Sequence, residues 1–155
     1  MTRLQGTTVM PLYSNVLVAV DLTSDSAELL RKAAEIATRN DARLSIAHVV
    51  EYLPVEPTGE VLMPASQDLE PELLAGAQRQ LEALARSCGV EQAARHVVLG
   101  STARDLARLI GENHFDLLIA GAHERHGLSL FAGGTERSLL KHAPCDVLVV
   151  RLKKS

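Results

Sequence analysis

Tryptophan is absent from the 155-residue chain, and the aromatic side chains are only Tyr13, Tyr52, Phe115 and Phe131. That is too few for the stacking platforms on which proteins hold single-stranded bases. An excess of positive charge is missing as well, because sixteen Lys and Arg face nineteen Asp and Glu for a formal net charge of -3. The basic field that draws nucleic acid is therefore absent, and DNA and RNA are excluded as expected partners. Cysteine is scarce: Cys88 and Cys145 stand far apart, form no CxxC pattern and cannot build a disulfide framework. No segment approaches a membrane span, and Met1 to Pro11 hold no apolar stretch of signal-peptide length. The expectation is a cytoplasmic protein with no membrane partner.

What the chain does have is aliphatic residues: 46% of it is hydrophobic, and the length suits one domain with a sizeable core. Asn15-Val-Leu-Val-Ala-Val20 reads as a strand buried on both faces, ending at Asp21. Thr23, Ser24 and Asp25 are capping residues, and Leu29, Ala33, Ile36 and Ala37 repeat at helical spacing as far as Asn40-Asp41. A second apolar run, Leu44 to Val50, enters a stretch from Glu51 to Asp68 with Pro54, Pro57, Gly59 and Pro64, a long loop of the kind that often carries function. From Pro71, a residue suited to a first helical turn, Leu74, Ala77, Leu81, Leu84, Ala85 and Cys88 form an apolar stripe ended by Gly89. His96 to Leu99 is a third strand, Gly100-Ser-Thr102 a turn and cap, and Ala103, Leu106, Ala107 and Ile110 a third helix that stops near Asn113. Leu117 to Ala120 is a fourth strand, Thr135 to His142 a short helix, and Asp146 to Leu152 a fifth strand.

Strict alternation of apolar strands with amphipathic helices predicts a single doubly wound α/β domain over residues 12–152: a five-stranded parallel sheet with helices on both faces, for which the order 3-2-1-4-5 is adopted, flanked by tails at 1–11 and 153–155. Ligands of such sheets bind beyond the carboxyl ends of the strands where the winding reverses, here between strands one and four. Asp21 and Gly121 stand at that point. From Gly121 the chain runs Ala-His-Glu-Arg-His-Gly-Leu-Ser-Leu-Phe-Ala-Gly-Gly134-Thr135 into a helix. Glycines let main-chain amides approach a phosphate, and a helix amino end offers unpaired N–H groups, so an anion site is physically reasonable there.

The strand ending Val18-Ala-Val-Asp21, the His48-Val49 pair, Gly100, the Gly121 loop and His142-Ala-Pro-Cys-Asp-Val-Leu-Val-Val150 together resemble the universal stress protein family, from about Ser14 to Leu152. The resemblance implies the same doubly wound fold, a homodimer joined through the C-terminal strand, and binding of ATP or AMP through a G-x2-G-x9-G-[ST] loop. Gly121, Gly134 and Thr135 match that pattern, whereas Glu124 stands where the second glycine belongs. A carboxylate there crowds and repels a triphosphate. Two consequences stay open at this point: a site that takes AMP, or a nucleotide-free interaction module. Carried over residue by residue, the resemblance places Ala19 and Asp21 at the base and ribose, and the main chain of Val49 at the adenine edge. Ala120, Gly121 and His123 form the floor, and Gly134, Thr135, Glu136 and Arg137 meet the phosphates. Arg125 and His126 supply positive charge nearby.

Each signal has a plainer reading. Asp21 can simply cap the first helix. His123-Glu-Arg-His126 has one residue too few after the glutamate for a zincin helix, so no metal is expected. His48 reads as a bonded core histidine, His142 as a helix-end cation, and Cys88 as part of an apolar stripe. With no Ser-His-Asp set, Walker loop or acidic receiver pocket, no catalytic residue and no enzyme activity are expected, with slow ATP hydrolysis tracking Thr135 or Asp21 as the open alternative.

Overall fold

The computed structural model describes residues 10–51, 66–123 and 134–152. Strands and helices alternate as β1 (Asn15–Ala19), α1 (Ser26–Arg39), β2 (Arg43–Val50), α2 (Ser66–Ser87), β3 (Ala94–Leu99), α3 (Thr102–Asn113), β4 (Leu117–His123), α4 (Gly134–His142) and β5 (Asp146–Leu152). The five strands form one parallel sheet in the order β3-β2-β1-β4-β5, the order the sequence predicts.

β1 has no polar side chain between Val16 and Ala19 to offer to water, so it belongs in the middle of the sheet. It pairs with β2 on one side and β4 on the other, and Val16, Leu17 and Val18 are fully buried. Alternate residues feed two cores. Val16, Val18 and Val20 pack with Leu29, Leu30 and Ala33 of α1 and with Leu81 and Ala85 of α2. Leu17 and Ala19 pack with Leu106 and Ile110 of α3 and Leu139 of α4. The strands are thus covered on both faces, and Cys88 and Cys145 are free thiols lying against one core each.

Several boundaries differ from expectation. β4 continues past Ala120 to His123 because β5 runs alongside it, with Gly121 opposite Val150 and His123 opposite Leu152. Gly121 is therefore a strand residue, and its missing side chain has a packing reason: a Cβ there would lie 2.6 Å from Leu152 Cδ1 and 3.4 Å from Leu29 Cδ2. α2 begins at Ser66, not Pro71. Proline keeps a helical φ and forfeits only its own N–H bond and space at the carbonyl four residues back, a smaller loss near a helix start than in mid-helix. β2 and β3 also begin earlier, at Arg43 and Ala94, and α4 begins at Gly134. Residues 52–65 of the expected long loop, and residues 1–9 and 153–155 of the expected tails, lie outside the described residues. Among those described, no helix is long and apolar enough to cross a membrane.

A polar clasp holds the entry to β1 at the amino end of the sheet. Asp116, just before β4, accepts hydrogen bonds from Ser14 N–H (2.7 Å), Ser14 Oγ (2.9 Å) and Asn15 N–H (3.0 Å). Asn15 Nδ2 donates to the carbonyls of Asn113 and His114, closing the end of α3, where His114 turns into the left-handed region. Asn40 Oδ1 accepts from Leu12 N–H, and Tyr13 Oη donates to Asp146 at the start of β5.

Burial alone would raise the Asp116 carboxyl, but the bonds from Ser14 and Asn15 outweigh it and hold the group below its ordinary value. A depressed folded-state pKa gives stability that is complete above the unfolded value and is lost as pH falls through the folded one. Asp116→Asn is thus expected to lower the thermal midpoint by a few degrees at neutral pH, with the gap from the native chain closing below about pH 4. Calorimetry across that range measures it, and a gap independent of pH would contradict the assignment. Gly121→Ala is expected to cost about 1–3 kcal/mol in urea unfolding through overpacking. Combined with Leu152→Ala, which removes the obstructing atom, the two losses should sum to less than their separate values; strict additivity would refute the contact.

Candidate functional site

The crossovers leave β1 in opposite directions, toward β2 on one side and β4 on the other, so a crevice opens beyond the carboxyl ends of β1 and β4. Its base consists of small side chains. Ala19 stands opposite Ala47 of β2 and Ala120 of β4, and all three are buried on the face that α3 and α4 cover. Val49, also buried, continues that face along β2.

Two features shape the wall made by β1 and β2. Val20 N–H donates to the Ala47 carbonyl at 2.9 Å, the last ladder bond of β1. In a parallel ladder alternate residues turn their main-chain groups to the same side, so those of Val49 point, like those of Ala47, toward the β1 side, past the point where β1 has ended. The Val20 carbonyl accepts a 2.8 Å bond from the His48 ring. A carbonyl only accepts, so Nδ1 carries the proton. This is the bonded core histidine expected for that position.

Asp21, unlike Asp25, does not stand at the helix N-cap. Its Oδ1 accepts from Thr23 N–H (3.1 Å), Thr23 Oγ1 (2.7 Å) and Ser26 Oγ (3.0 Å), which ties the β1–α1 turn into one shape. Asp25 holds the N-cap position without a side-chain cap bond, and Leu22 takes a positive φ of 58° inside the turn. The carboxylate is thus fixed at the rim of the crevice by its own loop.

The amino ends of α3 and α4 both lie at this end of the sheet. At α3, Gly100 has a φ of 156°, and a Cβ there would fall 2.2 Å from Asp105 Oδ2. Asp105, buried, accepts from Ser101 N–H at 2.7 Å and pairs with Arg108 at 3.1 Å. Thr102 Oγ1 donates to the Glu51 carboxylate at the end of β2. Sequence reasoning read Gly100-Ser-Thr102 as turn and cap but missed Glu51 and Asp105, whose partners lie in other elements or behind an unremarkable helical acid. These contacts fill the mouth of α3 with the protein's own carboxylates, so an anion is disfavoured there.

Of the residues expected to form the site, Ala19, Asp21, Val49, Ala120 and Gly121 converge at the crevice. His123 ends β4, and Gly134 opens α4, followed by Thr135, Glu136 and Arg137 in its first turn. The side chains of His123, Thr135, Glu136 and Arg137, together with Glu124, Arg125, His126, Phe131 and Gly133, lie outside the described residues. Among the described residues no cluster of three or more His, Cys, Asp or Glu is arranged to hold a metal.

The family model described as "Universal stress protein family" matches residues 12–151. Universal stress protein A homolog 1 of Coxiella burnetii is 33% identical over 142 residues, covering 92% of this chain and 99% of its own. A universal stress protein from Lactobacillus plantarum superposes with a TM-score of 0.64 at 25% identity, covering 90% of this chain and 98% of its own. Another, solved in complex with cAMP, does so with a TM-score of 0.57 at 26% identity, covering 89% and 96%. Element order, strand order and the matched span agree, and the chain belongs to the universal stress protein family.

Proposed function

We propose that the protein is a non-enzymatic regulatory module of the cytoplasmic stress response that binds an adenine nucleotide at the ends of β1 and β4. The observation that carries this reading is the Ala19–Ala47–Ala120 base at the winding reversal, with the Val49 main chain turned toward the space above it. Adenine offers its edge to main-chain groups, which is what Val49 presents. The similar protein solved with cAMP supports the ligand class.

In this reading Val49 reads the base edge through its main chain, and Asp21, already fixed by Thr23 and Ser26, presents its carboxylate to the ribose. Ala19, Ala120, Gly121 and His123 line the floor. The phosphate lies at the amino end of α4, where Gly134, Thr135, Glu136 and Arg137 supply main-chain N–H groups, because α3 is filled by Asp105 and Glu51. The chain has just four Phe and Tyr and no Trp, and a site read mainly by main-chain groups is expected to bind adenine with modest affinity. Glu124, in place of the motif's second glycine, favours AMP over ATP.

β5 is an edge of the sheet, with Leu148 38% exposed upon it. Pairing with a second copy through this strand would cover that edge and give the homodimer.

Isothermal titration with AMP and ATP is the test. Binding in the high-micromolar to millimolar range is expected, AMP at least as tight as ATP, and silence toward both at millimolar ligand would overturn the reading. Glu124→Gly should strengthen ATP about tenfold or more, equivalent to about 1.4 kcal/mol, with little effect on AMP; unchanged ATP affinity would clear Glu124 of that role. Light scattering at micromolar protein should give twice the chain mass, and Leu148→Glu should shift it toward the monomer. A monomeric native chain would reject the dimer.

A further inference from the structure

At the opposite pole of the sheet, away from the nucleotide crevice, a cleft of about 620 Å³ opens where β1, β2 and β3 begin. Its size lies within the range of small-molecule sites. Part of its wall is one face of the sheet. Asn15 stands opposite Arg43, Ser45 opposite Ala94 and Ala47 opposite His96, and these residues share the side on which Phe115 packs at the end of α3. Leu44, Val90 and Ala93, which pack with the core on the other face of the sheet, continue the lining round its amino edge together with Thr38 and Gln92.

Three polar groups here are not used by the fold. Ser45 is 7% exposed, yet its hydroxyl has no hydrogen-bond partner among the described residues. No fully enclosed side-chain polar atom among those residues lacks a partner, so the Ser45 hydroxyl opens to the cleft it lines. An open hydroxyl without a protein partner is free to donate to or accept from a ligand in the cleft. Arg43 makes no ion pair among the described residues, and the lining contains no Asp or Glu to neutralise it. His96 meets Phe115 edge to face at 6.1 Å, and neither ring nitrogen has a partner among the described residues.

We propose that this cleft binds a small organic monocarboxylate, with the Arg43 guanidinium on the carboxylate, Ser45 Oγ and the His96 ring as further polar partners, and Phe115 against the apolar body. A guanidinium fork matches a carboxylate's two oxygens. Desolvation pushes the His96 imidazole below its ordinary pKa, so near neutral pH the ring offers one donor and one acceptor and no second positive charge. With a single cation in the lining and the carboxyl end of α3, the negative end of its dipole, close by at Asn113, a phosphate dianion is disfavoured against a monoanion.

The test is a titration of the full chain followed by NMR, with benzoate as the probe, and with benzamide and inorganic phosphate as comparison arms. Saturable shifts at His96, Ser45 and Phe115 are expected with millimolar benzoate, and at least about tenfold weaker effects with benzamide or phosphate. Arg43→Gln, a change at an exposed position, should weaken benzoate about tenfold or more while the spectrum elsewhere is unchanged. Ser45→Ala should weaken it severalfold. No saturable shift with benzoate, equal response to benzamide or phosphate, or an unchanged affinity in Arg43→Gln would each overturn the proposal. AMP should shift resonances at the other pole only, so this site stands or falls separately from the nucleotide reading.

Discussion

The placement of β1 is the constraint on which the rest of the structure depends. A strand without a polar side chain from Val16 to Ala19 can be buried only by neighbours on both edges and helices on both faces. β2 and β4 supply the edges, α1 with α2 and α3 with α4 supply the faces, and the reversal of winding on either side of β1 opens the crevice at its carboxyl end. The site is thus a by-product of how the central strand is hidden.

The two ends of the sheet are built differently. At the carboxyl end, polar groups are engaged before any ligand arrives: Asp21 with Thr23 and Ser26, Asp105 with Ser101 and Arg108, Glu51 with Thr102. Such a rim is preorganised, and a ligand entering it need not order the side chains it meets. At the amino end, Asp116, Asn15 and Asn40 are engaged in closing the fold, while Arg43, Ser45 and His96 are not.

Much of this was legible in the sequence because the cues were local. The β-branched run at Val16 to Val20 identifies a buried strand, and the spacing of Leu29, Ala33 and Ala37 identifies a helix face, without knowledge of any other element. Alternation and crossover handedness point to a doubly wound parallel sheet, within which the order 3-2-1-4-5 is a choice that the structure bears out. What the sequence does not show lies where a partner decides. Gly121 reads as a loop residue, yet pairing with Val150 of β5 places it in β4, and Leu152 leaves no space for a side chain there. Asp21 reads as a helix cap or a ribose ligand, and the Thr23 and Ser26 groups that hold its Oδ1 are placed only by the turn. Ser45 is an ordinary polar interruption of an apolar strand until β3 and the end of α3 are set beside it.

The clasp around Asp116 also bears on how the chain is made. Ser14 and Asn15 lie about a hundred positions before the carboxylate that holds them, and β4, which completes the burial of β1, follows immediately after it. During vectorial synthesis the central strand therefore emerges first and waits for most of the chain before its second edge and its anchor exist. Until then its most apolar segment has helices to cover its faces but an unpaired edge on the β4 side, so the interval before β4 leaves the ribosome is when this protein is most exposed to misassembly.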